Sequence, residues 1–106
     1  RRRQEQAWGM NRLELVLAEQ AIDDLMDIWL YIATDSIRNA DHFIDFLYEK
    51  CSDLCETPNI GRKRPELLPD IRSLPVKRYI VFYRVTDKAV EIARVVSGYR
   101  DIASLF

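Results

Sequence analysis

Tyr79 to Asp101, YIVFYRVTDKAVEIARVVSGYRD, decides how this chain folds. It reads as two strands turned back on each other across Thr86-Asp87-Lys88-Ala89. Alternation puts Tyr79, Val81, Tyr83 and Val85 on one face of the first strand and Ile80, Phe82 and Arg84 on the other. In the second strand Val90, Ile92 and Val96 alternate with Glu91, Arg94 and the small Ala93 and Ser97, while Val95 breaks the pattern. β-Branched and aromatic residues dominate both runs and no proline interrupts them, which predicts a central hairpin. An apolar sheet face needs a second layer to cover it.

The upstream half supplies that layer. From Glu19 onward Ile22, Leu25, Met26, Trp29, Ile32 and Ala33 recur at steps of three and four, with Asp23, Asp24 and Asp27 assigned to the solvated side. Asp35-Ser36 breaks this helix and caps a second one. The apolar stripe of that second helix is Ala40, Phe43, Ile44, Leu47, Cys51, Leu54 and Cys55, and Pro58 and Gly61 close it. Before the helices, Leu13-Glu14-Leu15-Val16-Leu17 alternates as a short first strand. After them come a basic turn, Gly61-Arg62-Lys63-Arg64-Pro65, and a strand begun by Asp70-Ile71-Arg72-Ser73-Leu74. Pro75 lacks an amide donor, which places it at a sheet edge or bulge. The expected fold is therefore α+β: a small antiparallel sheet, in the order strand, two helices, three strands, with the helical hairpin packed on one face. The apolar tail Ile102-Ala103-Ser104-Leu105-Phe106 is expected to fold back onto the domain. Residues 1–9, RRRQEQAWG, have no periodicity and read as a disordered leader, or as upstream sequence, ahead of a single domain over 10–106.

A chain of 106 residues holds one core. No apolar run approaches the roughly 20 residues a membrane helix needs, so the chain is expected to work in the cytoplasm without a membrane. Charge is unevenly spread: residues 10–60 carry three basic against eleven acidic side chains, and residues 61–106 carry ten against five. An acidic helical layer and a basic sheet follow, the latter suited to an anionic partner. Conventional catalysis finds no constellation. His42 is the single histidine, no Gly-rich phosphate loop or Ser-x-Gly elbow is present, and Cys51 and Cys55 are stacked on one helix face with no histidine beside them. No cofactor and no metal are expected.

Several pieces carry a resemblance. Ala21-(x)3-Leu25-(x)2-Ile28, Ala40 and Phe43, Pro58-Asn59-Ile60-Gly61-Arg62, Ile71-Arg72, Tyr79-(x)3-Tyr83-Arg84 and Ile92-(x)5-Gly98-Tyr99-Arg100-Asp101 stand in the order seen in the RelE/ParE toxin superfamily. Together they span nearly all of residues 10–106, and the chain resembles that superfamily throughout. The resemblance implies a bacterial type II toxin neutralised by a small antitoxin, ParD-like or similar, in a hetero-oligomer.

The superfamily holds two activities. RelE-like members cleave mRNA on the ribosome with lysines, arginines and a C-terminal tyrosine. Here the arginine position on the sheet corresponds to Ile80, the terminal tyrosine position to Phe106, and only Arg100 survives. Losing several members of a cooperating set costs orders of magnitude in rate. Gly98-Tyr99-Arg100-Asp101 resembles the end of the ParE branch, whose members poison DNA gyrase by binding; the alternative the resemblance leaves is a ribosome-dependent endoribonuclease with a displaced site around Arg78, Arg84 and Arg100. Ser97 departs from that branch, where many chains carry histidine. The resemblance makes Arg72, Lys77, Arg78, Arg100 and Asp101 candidates for contact with the target, and Trp29, Arg84 and Arg94 candidates for contact with the antitoxin. It implies no catalytic residue and no sequence-specific binding of nucleic acid. The plain alternative for each arginine is an ion pair within the fold, and for Trp29 a place in the core.

Overall fold

The computed structural model describes residues 12–106; the leader read over residues 1–9 lies outside the described residues. In chain order the elements are β1 (Glu14–Leu17), α1 (Glu19–Ala33), α2 (Ile37–Asp53), a 3-10 turn (Pro58–Ile60), β2 (Arg62–Lys63), β3 (Arg72–Val76), β4 (Tyr79–Val85), β5 (Ala89–Ser97) and a second 3-10 turn (Ile102–Leu105). Five strands form one sheet in the order β1-β5-β4-β3-β2. The α+β architecture with a helical hairpin over one face is the one read from the sequence.

The sheet, expected to be antiparallel, is so in three of its four strand pairs. β1 pairs parallel to β5, with Leu15 opposite Val90 and Leu17 opposite Ile92, so the sheet is mixed. Side-chain alternation records which face a residue takes but not the direction in which two distant strands meet. A second correction concerns the basic turn, because Arg62 and Lys63 pair antiparallel with Ser73 and Arg72 and end the sheet as a two-residue edge strand.

The β4–β5 hairpin forms as its composition requires. Thr86 stabilises the turn: its amide donates to the Ala89 carbonyl at 2.8 Å, and its Oγ1 accepts from the Ala89 amide at 3.0 Å. Tyr83 pairs with Ile92 and Phe82 with Arg94, which leaves Ala93 as the extra residue of a β-bulge. The bulge resets the alternation and returns Val95 to the helix-covered face, which explains its irregular place in the sequence pattern.

Both faces of the sheet are covered. On one, Val81, Tyr83, Val90, Ile92 and Val95 pack against Ala21, Ile28, Leu47, Cys51 and Leu54 of the helical layer. On the other, Ile71, Phe82, Ala93 and Val96 meet Leu67, Leu68, Ile80, Ile102, Leu105 and Phe106. The tail therefore does fold back, and the Phe106 ring meets Phe82 edge-on at 5.1 Å. A basic sheet face does not exist as such: the face away from the helices is largely apolar, Arg84 and Arg94 lie within β4 and β5, and other cations sit at strand ends and turns. Ser36 caps α2, its side chain accepting from the Asn39 amide at 3.1 Å. Both cysteines are free and buried. No helix among the described residues is long and apolar enough to cross a membrane.

Candidate functional site

The phase of α1 differs from the sequence reading, and the difference creates two features. The face turned to the sheet carries Ala21, Asp24 and Ile28, while Ile22 and Met26, read as core, are exposed. Asp24, read as solvated, is 8% exposed and sits at the open edge of β5. β1 pairs with β5 only as far as Ile92, so the amides beyond lack a strand partner on that side. Asp24 takes over there. Its carboxylate accepts from the Val95 amide at 2.9 Å and from Arg94 Nε and a terminal nitrogen at 2.8 and 3.0 Å. That forked hydrogen bond pushes the Arg94 guanidinium further toward its charged form. Arg94, a candidate for antitoxin contact, is thus engaged inside the fold.

The rotation of α1 also opens a groove on the outer surface of the hairpin. Ile22, Leu25, Met26, Trp29, Leu30 and Ile44 line it, almost without polar atoms. Trp29 is a groove wall rather than core, and its indole Nε1 donates to the Asp41 carboxylate across the hairpin at 2.8 Å. Exposed Asp23 and Asp27 stand beside this strip. Sequence periodicity held one signal of it: the apolar residues of α1 cover more of the helix than a single buried face requires.

The remaining candidates divide by location. Arg84 lies on β4 between Glu91 at 3.1 Å and Asp70 at 3.4 Å. Arg72 donates to the carbonyls of Asn59 and Gly61 at 3.2 and 2.7 Å and so holds the turn that enters β2. The same turn rests on Tyr83, whose buried hydroxyl donates to the Pro58 carbonyl at 2.7 Å and accepts from the Gly61 amide at 2.8 Å. Burial pushes the Tyr83 hydroxyl pKa up. Lys77 and Arg78 form the exposed turn between β3 and β4, and Arg100 and Asp101 lie exposed just past β5. A hydrogen bond from the Gly98 amide to the Arg78 carbonyl, 2.9 Å, brings those two turns together. Arg72 is at the opposite end of β3 from them.

Ile80 and Phe106 occupy the second apolar cluster with Phe82, so both are packing side chains. His42 is exposed on α2. Among the described residues no group of three metal-ligating side chains converges.

The sequence profile of the family described as ParE toxin of type II toxin–antitoxin system, parDE, matches residues 15–102. The chain belongs to the ParE toxin family. Among solved structures, the chromosomal ParDE TA system from P. aeruginosa is similar at a TM-score of 0.70 and 23% identity, over 82% of this chain and 97% of that one. The YoeB dimer from Staphylococcus aureus is similar at a TM-score of 0.51 and 21% identity, over 83% and 99%. At these identities the likeness is one of fold. No curated protein matches the chain. For a ParE family member, the matched span takes in the groove, the Asp24–Arg94 pair and both basic turns.

Proposed function

We propose that this ParE family toxin is neutralised by a cognate antitoxin of the ParD kind. We further propose that it arrests growth by binding DNA gyrase and holding the enzyme's cleaved-DNA state, without breaking a bond itself. The observation that carries this reading is the packing of Ile80 and Phe106 in the apolar cluster on Phe82. These are the positions where the mRNA-cleaving branch places an arginine and a proton-exchanging tyrosine. A phenyl ring and an aliphatic side chain neither stabilise a phosphate nor move a proton. Contact with the target falls to the exposed turns, Lys77-Arg78 and Arg100-Asp101. Antitoxin contact falls to the apolar groove with Trp29 in its wall, because an amphipathic helix laid there would bury Ile22, Met26 and Leu30.

A supercoiling assay with purified gyrase, run beside a translation assay for mRNA cutting, tests this. Inhibited supercoiling with intact message is the expected result. Cleaved message with untouched supercoiling overturns it in favour of a ribosome-dependent endoribonuclease.

A further inference from the structure

Among the described residues, Lys50, Lys77, Arg78 and Arg100 lie toward one end of the molecule without an ion-pair partner. Lys77 and Arg78 are the two-residue turn joining β3 to β4, since the flanking Val76 and Tyr79 pair with each other. The bond from Gly98 to Arg78 sets Tyr99 and Arg100 beside that turn. On its other side the ammonium groups of Lys77 and Lys50 stand 5.5 and 5.3 Å from the centroid of one ring, Phe46. Asp53 lines the groove next to both lysines and Asp101 follows Arg100. Among the described residues, however, none of these four cations has an acidic partner within ion-pair distance.

Two further observations point outward. Lys77 has φ 58°, the left-handed region that a lysine enters at a cost glycine avoids. Glycine is the relaxed residue for the first position of such a two-residue turn, yet the turn presents a cation there. Tyr99 is 89% exposed, with its ring in solvent beside Arg100. Cations on adjoining turns beside an exposed aromatic ring suit a single strand of nucleic acid, phosphates meeting the charges and a base meeting the ring. An acidic peptide would answer the cations, whereas a base stacked on the ring adds about tenfold in affinity to phosphate contacts on the same surface.

We propose that the Lys50, Lys77, Arg78, Arg100 and Tyr99 surface binds the phosphodiester backbone of single-stranded nucleic acid, without regard to sequence. The binding does not depend on the gyrase reading. A gyrase toxin would use it on the strand the enzyme has opened, but it is measured on the full chain alone.

Fluorescence anisotropy with labelled oligothymidylate and labelled oligouridylate tests the proposal and separates DNA from RNA. Affinity for at least one falls with salt, with a log–log slope of about −3 for four engaged cations. Arg78→Glu and Lys77→Gly each flatten that slope by about 0.7 or more. Tyr99→Ala weakens binding about tenfold. Lys77→Gly also relieves the turn, so it melts no lower than the parent, and its loss of binding is not a loss of fold. The proposal is overturned if neither oligonucleotide shows salt-dependent binding, or if binding survives these substitutions. It is equally overturned if they weaken antitoxin or gyrase affinity while oligonucleotide binding stays intact, which assigns the surface to a protein.

Discussion

Replacing Asp24 by Ala removes the acceptor of three hydrogen bonds and strands the Arg94 guanidinium under α1. The side chains of the pair are only 10% and 15% exposed, so solvent screens them little. Breaking one partner of a buried pair costs about 3–5 kcal/mol, because the other charge is left without compensation. Against a total stability of about 5–15 kcal/mol, that brings the domain close to unfolding. At about 4–8 °C per kcal/mol for a domain of this size, the melting point falls by at least about 12 °C. The diagnostic measurement is the double variant Asp24→Ala with Arg94→Met. It removes the buried charge and leaves chiefly the Val95 amide unpaired, a cost of about 1–3 kcal/mol. It is therefore more stable than Asp24→Ala alone, by about 2 kcal/mol on the same figures. Urea denaturation followed by circular dichroism, with the slope m checked for constancy, reads both variants. A single variant within about 1 kcal/mol of the parent, on the scale of an ordinary surface change, would refute the reasoning. A double variant no better than the single one would refute it too.

Gly61→Ala should destabilise the fold, because a Cβ there would lie 2.4 Å from the Tyr83 hydroxyl oxygen. Tyr83→Phe should cost about 1–3 kcal/mol by leaving the Pro58 carbonyl and Gly61 amide unpaired, read from urea midpoints. Burial, reinforced by the neighbouring Cys55, pushes the Cys51 thiol from its ordinary 9.0 up to about 12. Between those values the unfolded chain binds fewer protons than the native one, so stability declines as pH rises above 9.0. Tyr79 and Tyr83, also raised by burial, add to the decline at higher pH. Cys51→Ala should flatten the fall in urea midpoints across that window, and an unchanged pH profile would count against the buried thiol as its source. Met26→Asp should leave stability within about 0.5 kcal/mol, since Met26 is 59% exposed, while lowering antitoxin affinity at least tenfold in a titration. Unchanged affinity would remove the groove as the antitoxin's seat.

The local elements were legible in the sequence because their signals are local. Ser36 announced the start of α2, Thr86 to Ala89 the hairpin turn, and Pro75 the weak edge of β3, which β2 pairs only through Ser73 and Arg72. The order of elements and the family resemblance followed from such pieces. The sequence did not disclose the direction of β1 against β5, which depends on how two helices return the chain over the sheet. Nor could it fix the rotation of α1. An acid in an apolar helix reads as solvated until the sheet edge it satisfies is in place, and Asp24 and Arg94 lie 70 residues apart. The candidate cations show the same division. Composition placed ten basic residues in residues 61–106, but tertiary contacts tied Arg72, Arg84 and Arg94 into the fold and, among the described residues, left Lys77, Arg78 and Arg100 without an ion-pair partner. A charge's value to a partner depends on what already neutralises it, and that neutralisation is a contact between distant parts of the chain.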